Sequence, residues 1–464
     1  MLPEVVRRTG RRAACAAVLA VALGLPALAS AASLGPGLRS GPVPGPVPVL
    51  DRDFADPDVL RVGDTYHAYA TNGAGAHVQR ATSTDLVHWT PAAADPLPRL
   101  GDWAEPERTL VWAPEVFDHG DGYTLLYTAR DRASGRQCVG AALAAGPEGP
   151  FRPVAGGPLV CPAAEGGAID AASHTEDGRR YVLWKNDGNC CGLPARIHLQ
   201  PVSWDGARTA GPSVPLVGRD LDWEGELVEA PTLVRREDRY HLFYSADSYT
   251  DERYKTGYAV ASALTGPYVK GTEPLMSTDS FGGTVRGPGG QDVVTGPDGR
   301  DRILFHGWSP DGSRRRVLYA ADLGFAGGRP VVRGSRSGYE AERADVRNAR
   351  VRETAGASGG RAVGWIDHAD SSVEFAVFAA SSGPHVLSVR YGNGSLDANG
   401  QPVPASHGLS VNGRAAAGGR IAYPYTGWDR WRSVTVTVEL TAGRNTVALT
   451  KDAYYAELDR VDVA

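Results

Sequence analysis

Three carboxylates stand out for what they could do together: Asp56 in FADPDVL, Asp170 in GGAIDAASH and Glu229 in LVEAPTL. Cleaving a glycosidic bond takes one protonated carboxyl, which hands a proton to the departing oxygen, and one ionised carboxylate on the other face of the sugar. If the second group activates a water, the two lie roughly 6.5–9.5 Å apart and the anomeric centre inverts; a nucleophilic carboxylate at about 5–5.5 Å would retain it. Glu229 is flanked by apolar residues, a setting that disfavours the charged form and suits an acid. Pro57 fixes the backbone just after Asp56, and Gly166 and Gly167 let the chain approach closely before Asp170. Taken singly, each also reads as a turn aspartate or a salt-bridged structural glutamate. Their places along the chain are what join them.

Asp56, Ala113, Asp170, Glu229 and Gln291 each open a similar stretch: a few apolar residues, a turn rich in Asp, Gly or Arg, then an alternating strand. Those strands are TYHAYA, YTLLYT, YVLWKN, YHLFYS and RILFHG, and the opening positions lie 57, 57, 59 and 62 residues apart. A near-constant period of this size marks a repeat architecture. Five blades of a β-propeller would bring the inner strands together around a central channel, so that carboxylates remote in sequence face one another. The joining stretches SGRQCVGAALAAGPEGPFRP and YKTGYAVASALTGPYVKGTEP carry the Gly-Pro turns of hairpins within a blade.

The bulk composition agrees with an all-β chain. Of 464 residues, 58 are Gly and 33 are Pro, with 42% hydrophobic and 22% charged, which is the profile of a globular protein rich in turns and of more than one domain. The net charge of −5 comes without a basic stripe, so nucleic acid is not an expected partner. Arg7, Arg8, Arg11 and Arg12 precede an apolar run from Ala13 to Leu28 and the small residues Ala29, Ser30 and Ala31, the pattern of a secretory signal peptide over residues 1–31. A membrane anchor would need roughly twenty apolar residues, and this run contains Pro26. The expectation is a secreted, extracellular monomer with no membrane partner. Residues 32–49 read as a Pro/Gly linker and 50–338 as the propeller. Residues 339–464 read as a β-sandwich with strands HVLSVRYGNG, RSVTVTVEL and NTVALTK. With Cys15 removed in the signal, Cys138, Cys161, Cys190 and Cys191 remain in an oxidising compartment. Of three connectivities, Cys138 with Cys161 is favoured because each ends a short β-like run and the two flank the turn GPEGPF; whether Cys190 and Cys191 form a vicinal bridge stays open.

Read in order, ADPDV, VWAPEV, GGAIDAASHTEDG and VEAPTL resemble glycoside hydrolase family 43, inverting five-bladed propeller enzymes acting on arabinose- and xylose-containing polysaccharides of the plant cell wall. The resemblance covers about residues 50–335. It implies Asp56 as general base, Glu229 as general acid and Asp170 as the residue that tunes and orients the acid, with no cofactor required for the chemistry. It points to an α-L-arabinofuranosidase or arabinanase, or else a β-xylosidase; a propeller that only binds sugar is the reading outside catalysis. Where many members carry a Gly-His pattern for an axial metal or water, this chain has Gly290 and Gln291. His306 in ILFHGW matches a second family histidine and is expected near the substrate. Trp112, beside the WAP turn, is placed to stack on a sugar or to fill the core. The C-terminal segment resembles carbohydrate-binding modules of families 35 and 6 through YEAE, VRYGNG and NTVALTKDAYYAELDRVDV. That likeness implies a structural calcium on Glu340, Glu342 and Asp459, oxygen donors of the kind Ca²⁺ takes. Sugar binding would use Trp428, Trp431, Tyr454 and Tyr455.

Overall fold

The computed structural model describes residues 45–106 and 110–464; the signal-peptide reading, Cys15 and most of the expected linker lie outside them. Strands of period-two alternation, separated by turns, form seven sheets. Five belong to the repeats. Their inner strands are Asp58–Val62, Trp112–Asp118, Ala168–Glu176, Val228–Arg236 and Arg286–Thr295. Each pairs antiparallel with a second strand: Thr65–Ala70, Tyr123–Arg130, Arg179–Asn186, Arg239–Ala246 and Asp301–Trp308. The fifth blade takes its outermost strand from the start of the described chain, because Pro48–Leu50 pairs with Arg316–Ala326. Pro48 and Val49 are therefore strand and not linker: their backbone groups close the ring.

The inner strands share a backbone feature that alternation alone does not reveal. Asp56, Ala113, Asp170, Ala230 and Gly290 all have left-handed φ, between 38° and 56°. The ladder register shifts between Trp112 and Glu115, Ile169 and Ala172, Glu229 and Thr232, and Gly289 and Asp292. Four of the inner strands thus carry a bulge that frees two residues from pairing, and in the first blade Asp56 and Pro57 precede the ladder. This corrects the alignment of the repeats. Ala230 and Gly290, not Glu229 and Gln291, are the counterparts of Asp56, Ala113 and Asp170, and the spacings become 57, 57, 60 and 60. Glu229 stands one residue earlier, in the place held elsewhere by Trp112 and Ile169.

Two residues after the left-handed position, polar side chains staple one blade to the next in four of the five blades; the third has Ala172 there. The Val116 N–H donates to Asp58 Oδ2 at 2.9 Å, the Ser173 N–H to Glu115 Oε1 at 2.7 Å, and the Val59 N–H to Asp292 Oδ2 at 2.9 Å. The Thr232 hydroxyl donates to the Gln291 carbonyl at 2.6 Å. Burial, and then the neighbouring carboxylates Glu115 and Asp292, push Asp58 well above the usual carboxylate range; burial and then Glu115 push Asp292 up to about 7. These acids accept backbone donors on the open edge of the neighbouring inner strand.

The sandwich packs two sheets around a core that includes Val363, Phe375, Leu387, Val389, Leu409, Val447, Leu449 and Leu458. Its first strand, Ser337–Glu340, pairs with the last, Glu457–Val463. Arg333 donates to the Ser381 hydroxyl at 2.6 Å, and Arg460 lies 3.3 Å from Glu273 across the junction with the fourth blade.

Candidate active site

At the end of the channel where the bulges lie, Asp56, Trp112, Ile169, Asp170 and Glu229 line one cavity of about 250 Å³, together with Thr71, Lys185, Asp187, Asn189, Cys190, Tyr249, Tyr254 and Arg316. The five inward positions come from two neighbouring columns of the repeat, the left-handed residue and the one before it. A left-handed backbone costs an ordinary L-residue roughly 1–2 kcal/mol, less for Asp, which tolerates it through local hydrogen bonds. Asp56 and Asp170 are thus suited to the conformation that aims them into the channel.

Asp56 is held on every side. Its Oδ2 accepts from the Thr71 hydroxyl at 2.7 Å, its Oδ1 lies 3.3 Å from Arg316 Nη1, and its N–H donates to His306 Nδ1 at 3.0 Å. Burial would raise this carboxyl, but Arg316, His306 and the Thr71 hydrogen bond outweigh it and hold it below its ordinary value. Asp56 is therefore ionised at neutral pH, as a base must be. Since His306 Nδ1 accepts, the proton sits on Nε2. Burial, then Arg316, pushes the imidazole down to about 3, so it stays neutral. His306 is almost fully enclosed, stacked on Tyr254 with ring centroids 5.6 Å apart. The expected substrate contact is corrected: its side chain lies behind the cavity wall, supporting Asp56.

Around Glu229 the groups differ. Its Oε2 lies 3.2 Å from Lys185 Nζ and its Oε1 accepts from the Tyr254 hydroxyl at 2.9 Å. Asp170 Oδ2 accepts from the Ala230 N–H at 2.9 Å, which fixes the peptide that carries Glu229. Burial, followed by the charges of Glu229 and Asp56, pushes Asp170 up to about 8 against the pull of Lys185. Asp170 accordingly retains its proton at neutral pH, while Asp56 does not. One ionised carboxylate facing a protonated one across the same cavity is the kind of divided protonation that acid–base cleavage requires.

Trp112 and Tyr249 offer aromatic faces at the cavity, Tyr249 half exposed with Arg316 over its ring at 4.9 Å. Gln291 is spent on structure: its Nε2 donates to the Ala230 carbonyl at 2.7 Å, and its Oε1 accepts from Ser245 and Thr256 at 3.1 Å. Cys138 and Cys161 form a disulfide, as do Cys190 and Cys191, whose turn brings Asn189 and Cys190 to the cavity rim. Sequence reasoning missed Lys185, Tyr254, Tyr249, Thr71 and Arg316. Thr71 and Lys185 had a signal: both end the second strand of a repeat, in one column with Thr128, Ser245 and His306.

In the sandwich, Trp428, Tyr454 and Tyr455 are exposed. Trp428 lies over Gly394, and the neighbouring Ser395 hydroxyl donates to the Tyr455 carbonyl at 2.8 Å, so Trp428 and Tyr455 flank one short segment. Trp431 is withdrawn from the expected binding set: it is partly buried, its N–H donates to the Ala355 carbonyl at 3.2 Å, and Arg390 covers its ring at 5.7 Å. The expected calcium set is also corrected. Asp459 accepts from the Ser358 N–H and is paired with Arg390. Among the described residues, the one group of three ligand side chains close enough to share an ion is Asp131, Cys138 and Cys161, and its sulfurs are in a disulfide. Glu340 and Glu342 each keep a buried oxygen without a hydrogen-bond partner, but with Asp459 committed to Arg390 the three carboxylates do not present a common site.

A five-bladed ring with an ionised carboxylate and a proton-bearing carboxyl around one cavity is the arrangement of a propeller glycosidase. Residues 46–322 match Glycosyl hydrolases family 43, and the chain belongs to that family. It is 30% identical over 140 residues to an extracellular endo-alpha-(1->5)-L-arabinanase of Thermotoga petrophila, a match spanning 27% of this chain and 27% of that protein's length. It is 25% identical over 277 residues to the beta-D-galactofuranosidase xynD of Aspergillus niger, covering 56% of this chain and 75% of that one. Among solved structures, a thermostable family-43 glycoside hydrolase superposes with a TM-score of 0.54 at 28% identity, over 60% of this chain and 92% of that one.

Proposed function

We propose that the protein is an exported, inverting α-L-arabinofuranosidase that removes single terminal sugars from plant cell-wall polysaccharide, with the sandwich holding it on the polymer. The observation that carries this reading is the one cavity that gathers Asp56, Asp170 and Glu229. Its volume of about 250 Å³ falls below the ~300–1,000 Å³ of sites for drug-sized ligands, a size suited to one terminal sugar more than to a threaded chain. Relatives named as an extracellular arabinanase and a galactofuranosidase support a secreted hydrolase.

In this reading a water oxygen attacks the anomeric carbon as Asp56 takes its proton. The glycosidic bond breaks, and the leaving oxygen receives the proton from Glu229. Asp170 holds the Ala230 peptide and so orients the acid. Trp112 and Tyr249 take the sugar faces, and Trp428, Tyr454 and Tyr455 form the polymer-binding surface.

The test is hydrolysis of 4-nitrophenyl α-L-arabinofuranoside, 4-nitrophenyl β-D-xyloside, 4-nitrophenyl β-D-galactofuranoside, linear arabinan and arabinoxylan by wild type and Glu229→Ala. Release of arabinose, lost by a factor of about 10²–10⁴ on polymer in the variant, supports the assignment. Release of xylose or galactose instead would move the substrate and keep the mechanism. A folded wild type inert on all five would leave a sugar-binding propeller, and retention on insoluble arabinan, weakened by Trp428→Ala, would then be its measure.

A further inference from the structure

The end of the second strand in each blade faces the inner strand at the column occupied by Glu229. Thr128 pairs with Trp112, Lys185 with Ile169, Ser245 with Glu229 and His306 with Gly289, while the Thr71 N–H donates to the Ala55 carbonyl at 3.0 Å. Three of these five residues have a visible task in fixing backbone or base. The Thr71 hydroxyl, besides bonding Asp56, accepts the Ala113 N–H at 3.0 Å; Ser245 accepts the Gly290 N–H at 2.8 Å; and His306 accepts the Asp56 N–H. All three do so as neutral groups. Blade three alone carries a cation in this column. The fold does not require a charge at that place, because hydroxyls and an imidazole serve in the other blades.

Lys185 is also costly where it stands. Its side chain is 1% exposed, and removing an ammonium from water costs several kcal/mol before its partners repay any of it. Those partners are Glu229 at 3.2 Å and Asp187 at 3.5 Å. Asp170 faces the pair from the inner strand, Tyr254 donates to Glu229 from blade four, and Asp56 and Arg316 line the same cavity. Arg136 acts on Asp187 from blade two.

We propose that Lys185 is a positioning residue for the acid step, its ammonium aligned to stabilise the carboxylate that Glu229 becomes as its proton passes to the departing oxygen. This rests on the reading of Glu229 as the acid. Fixed charge aimed at where charge develops is worth most in an enclosed site, since nothing has to reorganise during the reaction. Burial alone would strip the proton from Lys185, but the charges of Glu229, Asp170 and Asp187 outweigh it and keep the ammonium protonated. The same ammonium opposes protonation of its neighbour.

The consequence depends on the leaving group. A substrate whose leaving oxygen needs a proton uses this stabilisation, and one whose leaving group departs as a stable anion does not. The experiment compares phenyl and 2,4-dinitrophenyl α-L-arabinofuranosides with wild type, Lys185→Met, Lys185→Arg and Glu229→Gln, recording kcat/KM against pH. For Lys185→Met the expected result is a loss of at least about tenfold on the phenyl glycoside, with the dinitrophenyl rate nearly kept. The alkaline limb should move to higher pH, because the proton on the acid is no longer opposed, and Lys185→Arg should regain most of the phenyl rate. Equal losses on both glycosides, or an unmoved alkaline limb, would overturn the proposal in favour of a merely structural lysine. If Lys185→Met fails to fold, the arginine variant decides: a phenyl-to-dinitrophenyl ratio like wild type supports the role of charge, and a collapsed ratio overturns it. Failure of the underlying reading looks different, since Glu229→Gln would then cleave the phenyl glycoside at the wild-type rate.

Discussion

Gly290 has no side chain, and the base depends on that. A Cβ there would lie 2.6 Å from His306 Nδ1 and 2.8 Å from Asp56 Oδ1, at a φ of 56° that L-residues avoid. Gly290→Ala should therefore push apart the imidazole and the aspartate it supports. A displacement approaching 1 Å at a reacting group can cost about 10²-fold, so kcat/KM is expected to fall at least about tenfold with the fold retained. An Ala variant as active as wild type would mean that Asp56 is not positioned through His306. Asp56, Asp170 and Glu229 were legible as residues because each stands in a short motif of distinct composition. Tyr254 was not, and Lys185 only through the column it shares with Thr71 and His306. A lysine ending an apolar strand and a tyrosine in a polar loop look like surface residues until the ring closes around them.

At the scale of the element, the bulge at the head of four of the inner strands does most to shape the site. It turns two consecutive positions toward the channel, and Asp58, Glu115 and Asp292 accept N–H groups on the open edge of the neighbouring inner strand. Asp58 is buried and held well above the usual carboxylate range, so its charged form is disfavoured where it accepts the Val116 N–H. Asp58→Asn keeps that acceptor and should leave the thermal unfolding midpoint nearly unchanged at neutral pH. Asp58→Ala orphans the donor and should cost about 1–3 kcal/mol. If both variants melt alike, the staple contributes nothing. The strands and their period could be read from the chain because alternation and turn residues are local signals. The one-residue offset at Glu229 and Gln291 could not, since a bulge changes backbone dihedrals and leaves the apolar pattern almost intact. The shared Pro at 57, 114 and 231 was the available clue: counted from those prolines, Ala230 falls into the column of Asp56.

At the scale of the molecule, ring closure turns sequence distance into proximity. Asp56 and Glu229 come from the first and fourth blades and meet at one cavity because Pro48–Leu50 completes the fifth sheet. The sandwich shares the junction through Arg333 and Arg460. That the two carboxylates act across a sugar and a water, with no covalent intermediate, is the central claim. It is tested most directly by following wild-type hydrolysis of 4-nitrophenyl α-L-arabinofuranoside by proton NMR from the first seconds, before the released sugar mutarotates. The expected first product is β-L-arabinofuranose, the inverted anomer. First appearance of the α anomer would mean that a carboxylate attacks carbon itself, and would contradict the assignment of Asp56 as the base.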